Sequence, residues 1–120
     1  MDESILVDIR PMCNVEKNVD VFDDQLIPLI NSYLFRAAQI GVGKKGFMIS
    51  GVDETWSDFV DSELSPECFA ALKSYVGLRT QLQFDPPTNA AVLKAKQEDA
   101  KEFEWCLYDE AEIMKLDKTM

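Results

Sequence analysis

Two consecutive prolines, Pro86 and Pro87, place the strongest constraint on how this chain can fold. Each proline disfavours the α region for the residue before it, so a helix that enters this junction has to end at about Phe84. Both prolines have a fixed φ, and the junction is therefore stiff. Thr88 can accept a hydrogen bond from the free amides of a following turn, and we expect it to be the N-cap of the next helix. A rigid corner between two helices indicates a part that holds a shape.

The spacing of apolar residues predicts an all-α protein, a small bundle of four to five helices in one domain over residues 1–120. Pro11 predicts that the first helix is short, kinked or split, and Gly41 and Gly43 predict a left-handed end to the second. The predicted helices cover residues 5–13, residues 23–40, one or two turns from Trp56, residues 66–83 and a long C-terminal helix over residues 89–115.

Residues 41–55 are the least helical part of the chain and contain four glycines. The short alternation around Phe47 and Ile49 is typical of a loop that carries a short β arm. These two apolar side chains either fold back onto the core as a lid or reach a neighbouring subunit by strand pairing or groove filling.

Lys44 and Lys45 form a basic tip on this loop in a chain of net charge −10. A basic tip and an acidic body are self-complementary, and head-to-tail copies of such a chain can close into a ring. Trp56 either anchors the loop on the core or serves as an interface anchor. We therefore predict subunit or partner contacts for Lys44, Lys45, Phe47, Ile49 and Trp56. Trp105 lies near the apolar face of the last helix; of core packing and a partner contact, we predict core packing.

Composition argues against several classes of function. Acids outnumber bases 22 to 12, which opposes specific nucleic-acid binding and attraction to anionic lipid. The chain has no histidine, so it lacks the commonest general base and metal ligand. Its three cysteines are far apart, which predicts free thiols in a reducing compartment. We expect an intracellular, soluble protein without a signal peptide or membrane span, with no catalytic residues, metal or cofactor.

Two motifs that superficially suggest ligand sites fail on spacing. In a phosphate-binding loop, glycine would stand at Ala38 and a hydroxyl residue at Lys45. In a calcium loop that begins at Asp20, Phe22 and Gln25 occupy the third and sixth positions, which need an acid or amide and a glycine. We interpret the first motif as a basic loop tip and the second as helix capping.

A family resemblance extends over nearly the whole chain. Its residues are, in order, Phe22-Asp23-Asp24, Ile27-Pro28-Leu29-Ile30-Asn31-Ser32, Ile40-Gly41-Val42-Gly43, Gly46-Phe47 with Ile49, Glu54-Thr55-Trp56-Ser57-Asp58-Phe59, Tyr75-Val76, Phe84-Asp85-Pro86-Pro87-Thr88, Glu102 and Glu104-Trp105. With this pattern the chain resembles the head–tail connector (head-completion adaptor) family of long-tailed bacteriophages. Pro11, and Cys106 where an arginine is more typical, depart from the pattern.

The resemblance implies a structural subunit of a homo-oligomeric ring at the head–tail junction of the virion, assembled in the cytoplasm of the host bacterium. It implies docking to the portal protein and to a tail-side stopper or next connector, with DNA only as passing cargo in the channel. We expect the contact surfaces on the 41–55 loop and the far half of the last helix.

Two alternatives stay open from the residues. A small acidic helical module, of the inhibitor or anti-repressor type, would bind a basic partner through its charge. A histidine-free carboxylate enzyme would need two or three acids converging in a pocket.

Overall fold

The computed structural model describes residues 2–60 and 64–119. Its α-helices are α1 Ile5–Met12, α2 Asp23–Ile40, α3 Trp56–Phe59, α4 Pro66–Phe84 and α5 Ala90–Thr119. Within these ranges no sheet forms, and Ser4 and Thr55 make an isolated antiparallel bridge. The architecture is a small all-α bundle, which confirms the predicted fold class.

The end of α1 shows how the chain accommodates Pro11. The helix is only eight residues long and keeps this proline in its last turn. Directly after it, Asn14 adopts a left-handed φ of 63°. The N–H of Val15 then donates to the carbonyl of Arg10 at 2.9 Å, and the N–H of Asn14 donates to that of Pro11 at 3.1 Å. This Schellman arrangement satisfies the last carbonyls of the helix and ends it. Of the three outcomes that Pro11 predicted for the first helix, the structure shows the short one.

Gly41 ends α2 as the sequence predicted. It has a φ of 118°, a region that residues with a Cβ avoid. The N–H of Val42 returns to the carbonyl of Ala37 at 2.9 Å, and the Val42 side chain is fully buried. The chain leaves α2 already packed against the core, which fixes where the glycine-rich loop starts.

The proline junction joins α4 to α5, but its cap differs from the prediction. α4 ends at Phe84 as expected. The side-chain oxygen of Asn89, and not that of Thr88, accepts hydrogen bonds from the N–H groups of Ala91 and Val92 at 2.9 and 3.1 Å. Because α5 begins one residue later than expected, Asn89 takes the N-cap position, and asparagine is at least as good a cap as threonine.

α4 is the central element, since it packs against α1, α2 and α5. The buried face of α5 begins only at Ala100 and continues through Leu107 and Ala111. Val92, in the first turn of α5, is exposed. At about 1.5 Å per residue the 30 residues of α5 span about 45 Å, close to the longest dimension of the molecule, 47 Å. The first turns of α5 therefore extend beyond the core.

A buried ion pair fastens α1 to the start of α2. Arg10 is almost fully buried, and its Nε and one Nη donate to the two carboxylate oxygens of Asp23 at 3.1 and 2.6 Å. Its other Nη donates to the carbonyl of Lys17 at 2.6 Å. The bidentate geometry and the third hydrogen bond are what a buried arginine needs to offset its loss of hydration.

Candidate functional site

An open apolar groove lies between the outer face of α2 and the glycine-rich loop. We call it the α2 groove; it has a volume of about 820 Å³ and is lined by Ile27, Pro28, Asn31, Ser32, Phe35 and residues 46–49. Phe35 and Met48 are 58% and 67% exposed, and both of these large apolar side chains line this one groove. Phe35 also borders a second hollow, lined in addition by Ala38, Gln39 and Lys45. A lysine thus stands at the edge of the apolar surface.

The Asn31 side chain holds the loop wall of the groove in place. Its amide nitrogen donates to the carbonyl of Ile49 at 3.0 Å, and its oxygen accepts from the N–H of Ile49 at 2.8 Å. The asparagine therefore makes the pair of bonds that a neighbouring strand would make. The expected β arm does not form among the described residues, because this helix side chain takes the partner strand's place.

Gly43 and Phe59 fix the base of the same loop. Gly43 has a φ of 104°, and a Cβ on it would lie 2.2 Å from a ring carbon of Phe59. The N–H of Lys44 donates to the carbonyl of Phe59 at 2.9 Å, and the rings of Phe47 and Phe59 lie 5.3 Å apart. The loop is thus a packed part of the protein whose tip carries the basic residues.

The structure separates the five residues that the sequence predicted as contacts. Ile49 is 2% exposed and Trp56 is fully buried, so both side chains pack within their own subunit. Phe47 is half-buried, and Lys44 and Lys45 are exposed. For Phe47 and Ile49 this is the fold-back arrangement, and contact with a neighbouring subunit stays a prediction. Sequence reasoning overlooked Phe35, although its position outside the apolar stripe of α2 is a signal that it faces outward.

Trp56 anchors the segment after the loop to α1 and α4. Its indole N–H donates to a carboxylate oxygen of Asp8 at 2.9 Å, and Lys73 lies 3.1 Å from the same oxygen. Its ring meets the ring of Phe69 edge-on at 5.9 Å. Trp56 therefore anchors this segment within its own subunit, and its role as an interface anchor stays a prediction.

The prediction that Trp105 packs in the core is wrong. The side chain is 66% exposed, with its ring 6.1 Å from that of Tyr108. The reason lies in the helical period: Trp105 follows Phe103 by two residues and precedes Leu107 by two, so it points about 200° away from both. The helical spacing of α5 therefore held the signal that this tryptophan faces outward.

A charged cluster sets the orientation of α5. Glu104 accepts hydrogen bonds from Arg36 of α2 at 3.0 Å and from Arg79 of α4 at 3.5 Å. The bond to Glu104 raises the pKa of Arg36 above its usual value. Burial, reinforced by the Glu104 carboxylate, raises the pKa of Tyr75 to about 12. These bonds fix the rotation of α5 about its axis, and with it the position of Trp105, which lies about 100° further round the helix.

The described residues offer little that resembles reaction chemistry. Over residues 2–60 and 64–119, no three His, Cys, Asp or Glu side chains are grouped so that they could hold a metal ion. Burial raises the pKa of Cys13 to about 11 and that of Cys68 to about 12, so both stay protonated and unreactive near neutral pH. No described helix combines the length and the apolar character that a membrane crossing needs.

Comparison with protein families gives one informative result. The model of the family described as phage connector protein matches residues 5–113. Comparison with curated proteins and with solved structures returns no match. The matched region runs from the first residue of α1 to within a few residues of the end of α5. The chain therefore belongs to the phage connector protein family, which confirms the resemblance to head–tail connectors predicted from its sequence.

Proposed function

We propose that the chain, as one domain over residues 1–120, is a structural subunit of a homo-oligomeric connector ring at the head–tail junction of a phage virion. In this proposal the ring docks to the portal protein on one side and joins a tail-side stopper or further connector on the other. It encircles the channel through which DNA passes, and the subunit has no enzymatic activity. Assembly takes place in the cytoplasm of the host bacterium.

The observation that carries this proposal is the family match over residues 5–113. A connector acts through its surfaces, and two unlike surfaces stand out here. The α2 groove exposes Phe35 and Met48, and the outer face of α5 exposes Trp105. Large exposed apolar side chains of this kind mark protein–protein contacts. Two different contact surfaces on one chain favour heterologous, head-to-tail association, which closes into a ring when the rotation permits.

The acidic charge suits a channel through which DNA has to slide. A net charge of −10 gives the chain little capacity to displace counterions from phosphates, and this displacement supplies most of the affinity of DNA-binding proteins. DNA is accordingly cargo in this proposal and not a ligand.

Electron microscopy of the purified chain mixed with its portal protein tests the proposal. We expect a ring of additional density on the tail side of the portal, and no such density when bovine serum albumin replaces the chain. A chain that stays monomeric at high concentration and never joins the portal would contradict the connector role. Salt-sensitive capture of a basic host protein by such a chain would instead support the acidic-module alternative.

A further inference from the structure

The outer face of α5 carries a row of acids with a tryptophan at its centre. Successive members are three or four residues apart, so they share one face of the helix. We call this row the α5 stripe; its members, all exposed, are Glu98, Glu102, Trp105, Asp109 and Glu112. Within the described part of the chain none of these four carboxylates forms an ion pair. Lys101 and Arg79 line the hollow beside the tryptophan.

The α2 groove has the opposite character. Exposed Phe35 and Met48 form part of its apolar surface, and Lys45 lines the hollow that adjoins it at Phe35. Lys44 is the preceding residue of the loop, and neither lysine forms an ion pair among the described residues. Among the residues that the structure describes, no carboxylate lines the groove. At about 820 Å³ it falls in the size range of pockets that enclose small ligands, so it has space for one indole ring.

We propose that the α2 groove of one subunit receives the α5 stripe of a second copy of this chain. Trp105 fills the groove over Phe35 and Met48, and the carboxylates of the stripe face Lys44 and Lys45 of the neighbour. The contact is a helix laid into an apolar groove, with a tryptophan as the central anchor and charges at the rim. This inference rests on the proposed function and names which two surfaces meet in the ring.

The occupant is a second copy because charge restricts where two such chains can approach each other. Copies with a net charge of −10 repel one another over most of their surfaces. The groove edge combines exposed lysines with exposed apolar side chains, and the stripe combines unpaired acids with an exposed indole. The two surfaces are therefore complementary in charge, and both bury exposed apolar area when they meet.

A charge-reversal pair tests this contact. Variant A carries Lys44→Glu and Lys45→Glu, and variant B carries Glu102→Lys and Asp109→Lys. All four residues are exposed, so both variants are expected to keep the circular dichroism spectrum and melting temperature of the wild type. Each variant alone is expected to lose self-association in sedimentation velocity runs at low salt. An equimolar mixture is expected to restore it, because the acidic groove edge of variant A can meet the basic stripe of variant B, and the native groove of variant B can meet the native stripe of variant A.

A cross-link tests the same contact without relying on charge. Cys106 is exposed beside Trp105, whereas Cys13 and Cys68 are buried. A short bismaleimide is expected to join Met48→Cys to the native Cys106 of another subunit and to give a ladder of covalent oligomers. Two controls are expected to give none: Met48→Cys combined with Cys106→Ser, and Val21→Cys, which places an equally exposed thiol outside the groove. Trp105→Ala is expected to weaken self-association roughly thirty-fold, as the loss of a hot-spot residue does.

The outcomes separate the inference from the proposed function. Restored association of the mixture together with the specific ladder supports the pairing of groove and stripe. The pairing is overturned if the wild type forms rings or portal complexes while the mixture of variants A and B stays dissociated, or while the cross-linked ladder is absent. That result leaves the connector role intact. A wild-type chain that neither self-associates nor joins the portal overturns both.

Discussion

Replacing Gly43 with alanine is expected to destabilise the fold by about 3 kcal/mol. One part of this cost is conformational: Gly43 has a φ of 104°, and the left-handed region costs a residue with a Cβ about 1–2 kcal/mol. The other part is steric, because the new methyl group would lie 2.2 to 2.7 Å from three ring carbons of Phe59. Phe59 is fully buried and cannot swing into solvent, and overpacking of this kind costs about 1–3 kcal/mol.

Two other loop glycines supply matched controls for this substitution. Gly46 has a φ of 83°, but a Cβ added to it would have no atom of the described residues within 4 Å, so Gly46→Ala bears the conformational cost alone, about 1 kcal/mol. Gly51 has neither a positive φ nor a close neighbour, and Gly51→Ala is expected to be neutral or stabilising by about 0.5 kcal/mol.

Urea unfolding followed by tryptophan fluorescence measures these differences, since the buried Trp56 reports on the fold. We expect Gly51→Ala to have the highest urea midpoint, Gly46→Ala a lower one and Gly43→Ala the lowest. The dependence of the unfolding free energy on urea concentration should be the same for all three. The melting temperature of Gly43→Ala should fall by about 10 °C. A Gly43→Ala protein as stable as Gly46→Ala would show that the contact with Phe59 does not constrain the loop, and the reasoning would be wrong.

Three further perturbations test other contacts. Asn31→Ala removes both hydrogen bonds to the Ile49 backbone and is expected to lower the free energy of unfolding by about 2 kcal/mol in urea titrations. An unchanged midpoint would contradict the idea that Asn31 holds the loop in place. Arg10→Met leaves Asp23 without its partner and is expected to cost about 3 kcal/mol, whereas adding Asp23→Asn recovers part of this loss; equal midpoints for single and double variants would argue against the ion pair. The pKa of Cys13 is raised by burial to about 11, so above pH 9 the unfolded chain releases a proton that the folded chain keeps. Stability is therefore expected to fall from about pH 9 to about pH 11, and Cys13→Ala should make that fall shallower in a pH series of thermal melts.

Most helix ends in this protein follow from local chemistry, and they could be predicted from the sequence. Ser65 and Pro66 start α4, Gly41 ends α2, and the two prolines force α4 to stop at Phe84. These signals act over one turn of backbone and depend little on the rest of the chain. The choice of Asn89 over Thr88 as the cap of α5 was missed because two good caps stand side by side.

The surfaces of the candidate site were only partly predictable. The sequence identified the exposed lysines of the loop but assigned Trp105 to the core and overlooked Phe35. Both aromatic side chains lie outside the apolar stripes of their helices, so helical periodicity contained the information. Their exposure becomes significant only when the fold brings Phe35 and Met48 into the lining of one groove, and when the bonds of Glu104 to Arg36 and Arg79 fix how α5 is rotated.

By itself the sequence determined the all-α class, the positions of the helices within a few residues, and the family. The first two depend on backbone preferences and on the spacing of apolar residues along short stretches of chain, whereas the family follows from a resemblance that extends over nearly the whole chain. Only the tertiary structure decided that Asn31 would replace a partner strand for Ile49, 18 residues away, and that Trp56 would be buried while Trp105 stays exposed. Burial and long-range hydrogen bonds depend on which helix faces meet, and that depends on the packing of all the helices together.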